Sequence, residues 1–220
     1  MRVILFGATG MIGQGLLREL LLDASVEKVL VIGRNPIPEK HEKIEEIVQK
    51  DLYDLSPLES RLSGYDACFF VLGISAAGLT EEEYRHITYD LTVSVAKTLS
   101  KLNPEMTFVY VSGQGTDSTE HGRSMWARVK GATENALLAM PFKAAYMFRP
   151  GFIRPMHGIV SRTTLYRVIY AIAWPLFPIL FLLFPKHMTT TEKLGRAMIA
   201  AAAKGAPKKI LEPPDIHLLA

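Results

Sequence analysis

The segment GATGMIG sets Gly7, Gly10 and Gly13 at three-residue intervals, between an apolar run and a helical pattern. One glycine allows a sharp turn after a strand, another lets a pyrophosphate approach the main chain, and a third lets the helix pack near the strand. With Ala8, Thr9, Met11 and Ile12 between them, they form one loop whose N–H groups are bare at the helix start. Such groups bind an anion. The helix dipole adds on the order of 0.3–1 kcal/mol, and ~2 kcal/mol where partly buried. A second group of residues lies farther along. Ser112 closes the run MTFVYVSG, and Trp126 and Lys130 follow four residues apart. That spacing puts ring and ammonium on one helix face. A hydroxyl, an aromatic ring and an ammonium are nearly the ingredients of proton transfer in an oxidoreductase. The indole N–H donates a hydrogen bond but does not ionise at useful pH.

The elements that must hold these residues alternate. RVILFG (2–7), KVLVIG (28–33), residues 44–49, ACFFVLG (67–73), MTFVYVSG (106–113) and KAAYMFRPG (143–151) read as six strands. Each is a short apolar run of the kind a buried parallel sheet requires. Leu16, Leu17, Leu20 and Leu21 recur at helical spacing after the first strand. Tyr84, Ile87, Leu91, Val95, Leu99 and Leu102 mark one face of a long helix. Residues 123–140 and 190–203 complete the helices, and KKILEP adds a seventh, terminal strand. The pattern predicts one α/β domain over 1–220, a doubly wound parallel sheet of six to seven strands with helices on both faces. A glycine loop in this context is a dinucleotide-binding signal.

The end of the second strand bears on which dinucleotide. A ribose 2′-hydroxyl is usually held there by an acidic residue. This chain has Gly33-Arg34-Asn35 instead. Arg34 suits a 2′-phosphate and stacking on adenine, so NADP(H) is favoured over NAD(H). Asp51 is placed to accept a hydrogen bond from the adenine amino group, with Leu52 against the ring.

In their order and spacing, GATGMIG (7–13), FFVLGIS (69–75), VYVSGQG (109–115), WARVKG (126–131) and MFRPGFI (147–153) resemble the short-chain dehydrogenase/reductase superfamily. The likeness is to its atypical and extended, epimerase/dehydratase-like branches. Arg34, the turn after the fourth strand and the tail ILEPPDIH (210–217) are similar to the members related to the Tat-interacting metastasis suppressor. The resemblance is strongest over 1–155. It implies that Leu72, Gly73 and Ile74 line the cofactor, and that Ser112 takes the catalytic serine position. It further implies that Lys130 holds the nicotinamide ribose, and that Pro150, Gly151, Phe152 and Ile153 pass near the carboxamide. Trp126 stands where the family has its catalytic tyrosine.

Loss of a positioned acid typically costs about 10²–10⁴ in rate. Three readings of Trp126 follow. The ring packs and the reaction is lost; another hydroxyl (Ser112, Thr116 or Tyr89) substitutes; or hydride moves to an acceptor, such as a quinone or flavin, that needs no protein acid. His121 reads as a loop bystander. The functional expectation is an oxidoreductase-type protein acting on an apolar small molecule. Its rivals are a cofactor-dependent protein-binding module and a membrane-associated redox or scaffold protein.

Composition sets outer limits. Hydrophobic residues make up 49% and charged ones 21%, as in a globular protein. The formal charge of +3, with Lys and Arg scattered, does not support nucleic-acid binding. The single cysteine, Cys68, excludes an intrachain disulfide, and no metal site is expected. With no secretory signal at the start, a cytoplasmic protein is predicted. Residues 155–190 are expected to form an apolar substrate lobe or lid. Within it, eighteen uncharged residues, 168–185, reach the lower edge of membrane-spanning length but are broken by Pro175, Pro178 and Pro185. That run suggests a lid, a peripheral membrane contact or a dimer contact.

Overall fold

A computed structural model describes residues 1–159 and 187–220. The chain opens with β1 (Arg2–Phe6), α1 (Met11–Leu22), β2 (Lys28–Gly33), β3 (Ile44–Val48) and β4 (Ala67–Phe70). It continues through α2 (Glu81–Arg85), α3 (Leu91–Leu102), β5 (Thr107–Val111), α4 (Met125–Leu138) and β6 (Ala144–Phe148). It ends with β7 (Phe152–Arg154), β8 (Met188–Thr190), α5 (Thr191–Lys204), β9 (Ile210–Leu211) and α6 (Pro213–Leu219). Seven strands form one sheet in the order β3-β2-β1-β4-β5-β6-β9. All its pairs are parallel. This is the doubly wound Rossmann-like arrangement expected from the alternating pattern.

Side-chain alternation along the strands builds two cores. Val3 and Leu5 face one side of the sheet, where Leu16, Leu17 and Leu20 of α1 meet Leu194, Ala197 and Met198 of α5. Ile4 and Phe6 face the other, against Val95, Ala96 and Leu99 of α3 and Leu137 of α4. Each such side chain, fully buried, contributes about 1.5–3 kcal/mol. Cys68 lies in β4 within the second core and is fully buried. Burial pushes its thiol well above the ordinary range. Glu19 is the charged exception in the first core, and Arg18 and Arg196 neutralise it at 2.5 and 3.0 Å.

Three departures from the sequence pattern matter for the site. The long helix expected from Tyr84 onward is interrupted by a π-turn at His86–Asp90, between α2 and α3. The sixth strand stops at Phe148 rather than running on to Gly151. Proline at 150 has no N–H for the ladder, and the chain there turns toward Gln114, whose N–H donates to the Pro150 carbonyl at 2.9 Å. Residues 152–154 then form a separate parallel pair with 188–190. The apolar run 168–185, and most of the lobe expected around it, lie outside the described residues. Among the described residues no helix is long and apolar enough to cross a membrane.

Candidate functional site

The glycine loop leaves β1 and enters α1 with its special conformations in place. Gly7 has φ +91, and a Cβ there would lie 2.7 Å from the Leu72 nitrogen. A Cβ on Gly13 would lie 2.0 Å from the Gly7 carbonyl oxygen. Both are close approaches of backbone to backbone, so these two glycines shape the loop. Gly10 differs: among the described residues its Cβ would meet only the Gly7 oxygen, at 3.4 Å. The protein leaves room at Gly10, at the mouth of the helix. Gly10 is the N-cap of α1, with no side-chain cap and no acidic residue in the first turn. Helix-start N–H groups without a partner are an anion site. The loop therefore fits a diphosphate.

Two adjoining cavities extend from the loop. The smaller, of about 90 Å³, is lined by Gly7, Ala8, Thr9, Arg34, Asn35 and Leu72 among others. The larger, of about 420 Å³, is lined by Arg34, Asp51, Leu52, Leu72, Gly73 and Ile74 together with Lys50, Tyr53, Ile87 and Leu91. Residues chosen from four separate strand ends thus share one groove. The π-turn supplies Ile87, 38% exposed, to its wall. Tyr53 braces that turn: its ring stacks on His86 at 4.7 Å and its hydroxyl donates to the His86 carbonyl at 3.0 Å.

The ends of β5 and α4 form the other half. Trp126 is half-buried and lies over the loop at Gly113 and Gly115, 3.7–4.0 Å from where their Cβ atoms would be. Lys130 donates to the carbonyls of Ser112 at 3.0 Å and Val111 at 3.3 Å. Desolvation lowers its pKa to about 8, with Glu134 acting the other way. The folded value lies below the ordinary 10.5, so the unfolded chain binds the extra proton between the two. Stability therefore rises with pH across that window, and the burial cost is fully present below it. Lys130→Met is expected to raise the melting temperature at neutral pH, with the advantage shrinking as pH approaches 10.5. Paired thermal melts at the two pH values check this.

Ser112 sits at the end of β5, and its hydroxyl donates to Glu134 at 2.5 Å. Glu134 is wholly buried and paired with Arg149, which also reaches Glu212 at 3.1 Å and the Ser118 hydroxyl at 2.6 Å. Thr116 is buried and donates its hydroxyl to the Gly113 carbonyl at 2.7 Å. Tyr89 lies under the Arg85 guanidinium at 4.0 Å. His121 is exposed in its loop. Of the three hydroxyls weighed as substitutes for the tyrosine, those of Ser112 and Thr116 are thus engaged within the protein. Pro150 and Gly151 pack on Gln114 and His187, Phe152 is 67% exposed, and Ile153 turns into the first core.

Sequence reasoning passed over Glu134, Arg149, Lys50 and the Tyr53–His86 stack. One signal was present: Trp126, Lys130 and Glu134 repeat every four residues along one face of α4. Among the described residues no group of side chains could hold a metal ion.

Comparison with known proteins agrees with this geometry. The profile of a family described as NAD(P)H-binding matches residues 7–145. Leucinostatins biosynthesis cluster protein T of Purpureocillium lilacinum is 36% identical over 122 residues, 54% of this chain and 45% of that protein. Protein FMP52, mitochondrial, of Eremothecium gossypii is 32% identical over 155 residues, 70% of this chain and 66% of that protein. The matches thus span less than two thirds of either relative. The Bordetella bronchiseptica enzyme WbmF, solved in complex with NAD+, superposes with a TM-score of 0.67 at 15% identity, over 99% of this chain and 76% of that one. At that identity the likeness concerns the fold. The cytoplasmic expectation is overturned, because the FMP52 relatives are named as mitochondrial proteins. A start without a secretory signal does not distinguish those two compartments. The matched region begins at the loop's first glycine and ends within the sixth strand, and by that match the chain belongs to the NAD(P)H-binding family.

Proposed function

We propose that the chain binds NADP(H) along the groove and passes hydride to an apolar, conjugated acceptor of the quinone or flavin class. The observation that carries this reading is the setting of Trp126. It lies over Gly113 and Gly115, and the nearby hydroxyls of Ser112 and Thr116 donate within the protein. Reduction of a ketone needs a proton at oxygen as hydride arrives. Reduction of a quinone or flavin yields a stabilised anion and needs that proton less. NADPH would supply the hydride. The glycine loop would hold its diphosphate, Lys130 its nicotinamide ribose, and Arg34 its 2′-phosphate. The names of the FMP52 relatives favour a mitochondrial setting for this chemistry.

The test is loss of NADPH absorbance with menadione or free flavin as acceptor. Turnover is expected with these, and rates with simple ketones and aldehydes should be lower by about 10²-fold or more. Tight NADPH binding without turnover on either class would favour a second reading. In that reading NADP(H) stabilises a surface that captures a protein partner. The bond from Ser112 to buried Glu134 favours it, since a serine so engaged serves structure. Cofactor-dependent capture that survives Ser112→Ala would establish it.

A further inference from the structure

We propose that Lys50 is a second determinant of cofactor choice, binding the 2′-phosphate of NADP(H) together with Arg34. The inference rests on the NADP(H) reading and adds a residue to it. In the parallel pair of β2 and β3, Gly33 faces Val48. The ladder runs one step farther, where the Gln49 N–H donates to the Gly33 carbonyl at 2.9 Å. This register brings together the residues just past the two strands. The Lys50 ammonium donates to the Arg34 carbonyl at 3.0 Å. That uses one of its three N–H donors.

Both residues are exposed and both line the 420 Å³ cavity. Among the described residues neither has a carboxylate at ion-pair distance. Asp51 follows Lys50 in the chain, but its carboxylate accepts the Tyr53 N–H at 2.9 Å. Two cations thus flank a cavity whose remaining walls are mostly apolar. They repel one another until an anion joins them. A ribose 2′-hydroxyl brings no charge, whereas a phosphomonoester brings roughly −1.5 to −2 at neutral pH. Arginine offers a planar fork and lysine a compact point charge, so the pair can engage different oxygens of one phosphate. Arg34 is visible at the end of β2. Lys50 reaches the same place from β3, through register alone.

The experiment is calorimetric titration of the full chain with NADPH and with NADH, for the wild type, Lys50→Ala, Lys50→Arg and Arg34→Ala. A hydrogen bond to a charged group contributes about 1.5–3 kcal/mol, so Lys50→Ala should weaken NADPH by roughly tenfold or more. NADH affinity should stay within about twofold, and Lys50→Arg should recover most of the loss, because the cation is kept. Lys50 is exposed, so an unchanged melting temperature will show that the variants fold. Equal effects on both cofactors, or none on either, would overturn the proposal. A failure of the underlying reading looks different: the wild type itself would bind NADH at least as well as NADPH, which overturns both.

Discussion

Gly13→Ala is expected to weaken nucleotide binding and to destabilise the fold, while Gly10→Ala weakens binding at least about tenfold and leaves the fold intact. The added methyl at 13 would sit 2.0 Å from the Gly7 carbonyl oxygen, 2.7 Å from its carbon and 2.8 Å from the Ala8 Cα. All three are backbone atoms, so the loop must open. Overpacking usually costs about 1–3 kcal/mol, and a backbone clash belongs at or above the top of that range. For a chain of this size the loss lowers the melting temperature by roughly 6–12 °C. At Gly10 the only neighbour among the described residues is the Gly7 oxygen at 3.4 Å. The methyl there fits the protein and fills the space where a phosphate must come. Calorimetry should show NADPH affinity down by at least about tenfold, or 1.4 kcal/mol, with the melting temperature nearly unmoved. Wild-type affinity in Gly10→Ala would mean that the diphosphate does not rest on this loop.

The second large effect belongs to Glu134. Its carboxylate is wholly buried, accepts the Ser112 hydroxyl, and is held by two nitrogens of Arg149, itself 9% exposed. Removing one partner of a buried pair leaves the other charged and unsolvated, a loss of about 3–5 kcal/mol. Glu134→Ala should therefore unfold at markedly lower denaturant than the wild type. Arg149 keeps Glu212 at 3.1 Å, but that carboxylate is 43% exposed and screens it poorly. Replacing both partners, as in Glu134→Leu with Arg149→Met, should cost less than Glu134→Ala alone, because no orphaned charge remains. A double variant weaker than the single one would show that the pair contributes more than mutual neutralisation.

How much of this was legible beforehand depends on how local each feature is. The strand–loop–helix at Gly7–Gly13 obeys rules that act within a dozen residues, and the structure follows them. The same holds for Gly33-Arg34 and Asp51-Leu52, which sit at strand ends and so arrive at one edge of a parallel sheet. Glu134 carries no local mark in the sequence, because its buried partner Arg149 comes from just past β6, distant in the chain. Lys50 is not marked by its neighbours in sequence, because only the β2–β3 register sets it beside Arg34. The π-turn at 86–90 has no composition of its own: Ile87 and Leu91 keep apolar spacing whether or not the helix widens there. The pair of β7 and β8 joins three-residue segments distant in sequence, below what periodicity can resolve. Ser112 lies directly after β5, and its hydroxyl's direction depends on Glu134 of α4, 22 residues on.

The burial of Cys68 acquires a meaning once the acceptor is a quinone. Quinones are electrophiles as well as oxidants, and they arylate thiolates. This chain has one thiol, and it lies fully buried in a central strand, held in its unreactive protonated form by its surroundings. Were the acceptor a quinone, as proposed, the native protein would offer it no exposed thiolate to arylate.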